Sequence, residues 1–139
     1  MKPIPAPRWL SIYHWVAGCC DVVTGMLLIF APRWTLAHLG VRLVPKPIEC
    51  VSFIGVFVLS TGAAYLSAFA RPWSATNAPG WQTIWWLTAL TRSFVAVFLL
   101  CEILMGRMET AWVTVALVDG LLAGFQWHGL RANWLRYDP

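Results

Sequence analysis

Charge is scarce in this chain. Asp, Glu, Lys and Arg make up 12% of its 139 residues, about half the share of a soluble domain, which excludes an ordinary water-facing surface over most of the molecule. The basic excess is also unclustered: a formal net charge of +4 is spread over the loops, whereas a nucleic-acid surface needs a basic patch or stripe. Cysteine is sparse and carries no ligand-like spacing. Cys19 and Cys20 are adjacent and Cys50 and Cys101 stand far apart, which excludes a paired-cysteine zinc motif and suits buried thiols acting as small hydrophobes. No phosphate-binding glycine loop, nucleophile elbow or metalloprotease motif occurs. The N-terminal segment, broken by Pro3, Pro5 and Pro7, leads into an apolar run too long for a signal-peptide core and without a small-residue cleavage site. That run is expected to be a membrane span.

What the chain does have is apolar sequence. Hydrophobic residues reach 59% and tryptophan occurs ten times, with a mean hydropathy of +0.65. A bilayer-crossing helix needs about 20 mainly apolar residues, and four segments qualify: 9–30, 50–70, 83–105 and 111–128. Ala31, Pro32 and Arg33 end the first. Pro45 and Pro47 precede the second, Arg71 and Pro72 end it, and Pro79 and Gly80 introduce the third. Gly106 and Arg107 make a turn so short that the last two helices must form an antiparallel hairpin. The expected fold is all-α, a single domain over 1–139 that forms an integral membrane four-helix transmembrane bundle. The loop 31–48 reads either as irregular or as a short interfacial helix displaying Trp34, Leu36, Leu39 and Leu43 with Arg33 and Arg42.

Four spans put both termini on one side. That side carries Lys2, Arg8, Arg71, Arg131 and Arg136 against Arg33, Arg42, Lys46 and Arg107 on the other. The positive-inside rule then favours cytoplasmic termini in a bacterial inner membrane. Trp9, Trp15, Trp73, Trp81, Trp85, Trp127 and Trp134 gather near the terminal-side span ends, as an aromatic belt does.

Membrane helices associate through small residues. Gly18 and Gly25 with Ala17 mark a face of the first span, and Gly55 and Gly62 with Ser52 a face of the second. Ala89, Ser93 and Ala96 surround Arg92 in the third, and Ala116, Gly120, Gly124 and His128 form a stripe along the fourth.

Asp21, Arg92 and Asp119 interrupt these apolar stretches. At 1.5 Å per residue they lie roughly 17, 13 and 13 Å from the terminal-side edge, close enough for Arg92 to meet both aspartates with its planar fork. Such a network either fixes which helices pair or, with two carboxylates for one cation, holds a proton or ligand. A second polar level falls near the opposite surface. There Glu49 and Glu102, beside Cys50 and Cys101, suit an ion site, a disulfide pair or interfacial snorkelling toward Lys46 and Arg107. His14 and His128 stand near the terminal-side edge of the first and last spans, where they read as interfacial residues or as ligands to a haem between helices.

Gly18 and Gly25 in the first span, Glu49 followed by Gly55 and Gly62 in the second, and a tightly joined final pair together resemble the DoxX-like group of small four-helix membrane proteins. The resemblance implies that fold, and for some members a role as the small subunit of a quinone-linked oxidoreductase. It transfers no catalytic residue, and the midplane Asp21, Arg92 and Asp119 depart from the pattern, as does the tryptophan excess. The leading expectation is a non-catalytic membrane subunit or accessory protein in a respiratory, photosynthetic or oxygenase-type complex. Its partners are lipids and other membrane subunits or further copies of itself, with no nucleic acid. No intrinsic cofactor is expected; a quinone, haem or pigment at a subunit interface is the alternative. Two other functions remain open: a quinone-linked redox component using Trp85, Trp86 and His14 with the carboxylates, and a small proton-coupled transporter working as an oligomer.

Overall fold

The computed structural model describes residues 8–70 and 78–135. The proline-rich start, Arg71, Pro72, Trp73 and Arg136 lie outside them. Regular structure among the described residues is helical: α1 (Arg8–Phe30), α2 (Pro32–His38), α3 (Glu49–Phe69), α4 (Ala78–Leu104) and α5 (Val113–Arg131), with a 3-10 turn at Thr110–Trp112 leading into α5. Three of these are long and apolar enough to cross a bilayer: α1, Glu49–Ala68 of α3 and Pro79–Leu104 of α4. The 19 residues of α5 include Asp119, Gln126 and His128, which dilute its apolar character.

The helix ends follow local chemistry. α4 begins at Ala78 rather than at 83, because Pro79 falls in the first turn, where a missing N–H breaks no helical bond. The Thr83 hydroxyl reinforces that turn by donating to the Pro79 carbonyl at 2.9 Å. The loop 31–48 contains a true helix, α2, started by Pro32 and burying Thr35 and Leu36, while Trp34 and Leu43 stay exposed. Three helices close with the same paired backbone bonds, the Schellman arrangement, around a left-handed residue. Gly40 (φ 78°) ends α2, Gly106 (φ 69°) ends α4 and Asn133 (φ 55°) ends α5. In the last, the Trp134 N–H reaches the Gly129 carbonyl at 3.0 Å, which turns Trp134 and Leu135 back onto the core.

Backbone proximity is concentrated within two pairs, α1 with α3 and α4 with α5. The first pair is tight because glycine permits it. A Cβ on Gly25 would lie 2.5 Å from the Leu59 backbone nitrogen, and one on Gly62 2.6 Å from that of Val22, so no larger residue fits without separating the helices. Gly18 and Gly55 sit at the same crossing.

α5 is rotated away from its expected stripe. Its buried face is Ala116, Ala123, Gln126 and Gly129, and of the residues expected to pack only Ala116 is inside. Gly124 has nothing within 4 Å of a built Cβ, and Gly120 meets only the Ala96 Cβ at 3.8 Å. Positions 116, 119, 123 and 126 form an alternating three-and-four seam. Turning Asp119 and Gln126 inward to their partners therefore turns both glycines out. Trp81 and Trp85 likewise leave the expected belt: both are buried in a core with Leu10, Ala17, Tyr65, Ala68 and Leu135. Trp9 and Trp15 remain about half exposed.

Candidate functional site

The two helix pairs meet through long polar and aromatic side chains. Arg92, midway along α4, is buried at 6% exposure. Its Nη2 donates to Asp21 Oδ2 on α1 and its Nη1 to Asp119 Oδ1 on α5. One planar guanidinium thus joins three helices, each nitrogen serving a different carboxylate. The guanidinium carbon also stands 6.0 Å from the centroid of the Tyr65 ring on α3, within range of a cation–π attraction. With both acids ionised, the three side chains carry a formal charge of −1.

A second set of bonds lies beside this group. The Tyr65 hydroxyl donates to Thr88 Oγ1 at 3.1 Å. Gln126 Nε2 donates to both oxygens, each at 2.7 Å, and the Thr88 hydroxyl donates to the Ile84 carbonyl at 2.7 Å. Helices α3, α4 and α5 are stitched together by this trio. Towards the terminal side the Trp85 indole N–H donates to His14 Nε2 at 2.8 Å. A neutral His14 consequently carries its proton on Nδ1. Tyr13, Tyr65 and Trp81 pack around the His14 ring, which is wholly enclosed. Within these layers the Tyr13 hydroxyl, His14 Nδ1, Arg92 Nε and Gln126 Oε1 are buried without a well-formed hydrogen bond.

The structure therefore brings Asp21, Arg92 and Asp119 together, and of the alternatives at the second polar level it shows the pairing of Glu102 with Arg107. Glu49 is exposed at the first turn of α3. Glu102 is 3.4 Å from Arg107, its neighbour across the α4 turn. Cys50 and Cys101 are both free and exposed, so the disulfide alternative is not realised; each thiol faces outward from a different helix pair. His14 and His128 play different parts. His14 is committed to Trp85, while His128 is exposed and packs edge-to-face with the Trp134 ring, their centroids 5.1 Å apart. Among the described residues no three His, Cys, Asp or Glu side chains gather as a metal ion would require.

Several members of the site were not foreseen. Tyr65, Thr88 and Gln126 were passed over although Thr88 lies four residues before Arg92 and Gln126 seven after Asp119. Those spacings share a helix face with the charges, and they were the available signal. Gly129 was also missed: a Cβ there would come 2.5 Å from the Trp85 ring and 2.7 Å from that of Trp134. Glu109 has no such signal. It sits in the turn before α5, and its carboxylate accepts the Leu43 N–H and, at 3.0 Å, the Arg42 N–H from the segment after α2. These donors, Leu43 first, hold the Glu109 carboxyl below the usual carboxylate range. The clasp borders a hollow of about 660 Å³ lined by Gly40, Arg42, Met108, Glu109, Thr110 and Ala111.

Comparison of the chain with family models, with curated proteins and with solved structures gives no match.

Proposed function

We propose that the chain is a four-span membrane bundle, with α5 as the fourth span, acting as a non-catalytic subunit or accessory protein within a larger membrane complex. The carrying observation is how little of the apolar surface the chain uses on itself. The spanning windows of α1, α3 and α4 are only 28%, 22% and 28% buried internally. Phe53, Phe57, Trp86, Phe94 and Phe98 all point outward, while the charges and amides are turned inward onto one another. Such a molecule has a polar lock inside and a broad aromatic exterior for lipid and other helices. The DoxX-like resemblance belongs to the same reading, since its four glycines lie at a single crossing of α1 and α3. Membership of a bacterial inner membrane with cytoplasmic termini is part of the proposal.

Purification from native membranes in a mild detergent, followed by intact-particle mass spectrometry and an absorption spectrum, tests it. Stoichiometric partner chains, with whatever quinone, haem or pigment they carry, are the expected result. A colourless particle containing this chain alone would overturn the accessory reading.

One specific observation favours a second reading, a proton-binding transporter. Two carboxylates face a single guanidinium at mid-helix, and both side chains retain about 15% accessibility. A proton flux into liposomes that Asp21→Asn and Asp119→Asn each abolish would establish it; flux indifferent to both would eliminate it.

A further inference from the structure

The outer face of α5 carries a hollow of about 490 Å³ lined by Gly124, Trp127, His128 and Arg131. Positions 124, 127, 128 and 131 are one face of a helix, and at 1.5 Å per residue Gly124 lies about 10 Å further along the axis than Arg131. This is the face left over when Asp119 and Gln126 turn α5 inward. Gly124 is exposed with open space around it, so the missing side chain makes a notch in the helix surface. Trp127 forms a fixed wall, because its indole N–H is held by Ser93 Oγ at 3.1 Å. The Trp134 ring braces His128 edge-on. Arg131 stands exposed at the end of α5, and among the described residues no carboxylate lines the hollow.

We infer that this face binds the phosphate headgroup of an anionic glycerophospholipid. Arg131 matches a phosphodiester in charge and in planar, two-pronged geometry. His128 adds a ring nitrogen for a second contact. Trp127 provides the amphipathic ring favoured at the depth of headgroups, and the Gly124 notch admits the glycerol and the first acyl carbons deeper in the bilayer. The cationic Arg131 in the lining favours a headgroup of net negative charge over a zwitterionic one. The inference rests on the reading that α5 lies in the membrane.

The test uses the full chain in nanodiscs of mixed phosphatidylglycerol and phosphatidylethanolamine, with lipids retained after gentle delipidation counted by native mass spectrometry. Wild type should retain phosphatidylglycerol preferentially. Arg131→Gln removes the charge and Gly124→Leu fills the notch while leaving Arg131 in place; both residues are exposed, so neither change disturbs the core. Arg131→Gln should cut the preference about tenfold, the loss expected for one charged hydrogen bond, and Gly124→Leu should lower the retention of both lipids, which share the glycerol and acyl carbons that enter the notch. Wild-type preference in Arg131→Gln, wild-type retention in Gly124→Leu, or no preference in wild type overturns the lipid site. Displacement of the lipid by millimolar inorganic phosphate overturns it too, by reassigning the site to the free anion. Labelling of Val118→Cys, an exposed position of α5, by a water-soluble maleimide in a chain whose four native cysteines are replaced by serine would instead show that α5 lies outside the membrane, which separates the two failures.

Discussion

Arg92 is the side chain on which most of the interior depends, because it pairs with two aspartates from different helices. Removing one partner of a buried ion pair leaves an uncompensated charge. Arg92→Gln should therefore destabilise the protein by about 3–5 kcal/mol, read from its unfolding midpoint in detergent. Adding Asp21→Asn and Asp119→Asn to Arg92→Gln should recover much of that loss, since the penalty belongs to the orphaned carboxylates more than to the bonds. Gln126→Leu should cost less, about 1–2 kcal/mol, because Tyr65 and Thr88 keep their own bond at 3.1 Å. At Glu109 the sign of the pH dependence is fixed by the donors it faces. Its carboxyl is held below the ordinary value of 4.5 in the folded chain, so the stabilisation is present above that value and is lost as pH falls through the lower folded one. Hydrogen exchange at the Arg42 and Leu43 amides, corrected for intrinsic rates, should accelerate as pH falls through that lower folded value. In Glu109→Gln it should be fast at every pH.

At the scale of elements, glycine means different things on different helices, and the sequence alone does not distinguish them. Gly25 and Gly62 stand where a Cβ would strike backbone atoms at 2.5 and 2.6 Å; Gly124 stands in the open. Gly25→Ala and Gly62→Ala should each destabilise by about 1–3 kcal/mol by forcing α1 from α3. Gly124→Ala should instead stabilise by up to about 1 kcal/mol through helix propensity, with the same unfolding measurement separating the two classes. The helix termini were partly legible. Gly106 announces its turn because it precedes an arginine between two apolar runs, while Asn133 closes α5 in the same way without any comparable mark. The stripe along α5 was misplaced for a physical reason. Small residues predict close packing only where nothing stronger sets a helix's rotation, and here Asp119 and Gln126 set it.

For the molecule as a whole, the organisation is two helix pairs joined by side chains. α1 and α3 are locked by backbone contact, α4 and α5 run together, and Arg92, Tyr65, Gln126, Trp85 and His14 bridge the gap between pairs. Chains cut within 71–77 and expressed as two fragments should therefore copurify, and Arg92→Gln should weaken their association while each fragment stays in the membrane. A pull-down with a tag on either fragment checks this. Composition and periodicity determined much of what matters here. Long apolar runs, proline and glycine at their ends and three charges at one depth follow from the need to satisfy backbone and charge away from water, and that need is written locally. Only the tertiary structure decided which glycines touch, that Trp81 and Trp85 lie inside, that His14 serves Trp85, and that Glu109 clasps the segment after α2. Those facts depend on the rotation of each helix about its own axis and on residues as far apart as Arg42 and Glu109. No local pattern carries that rotation; it emerges when the buried polar side chains of all four long helices find their partners at once.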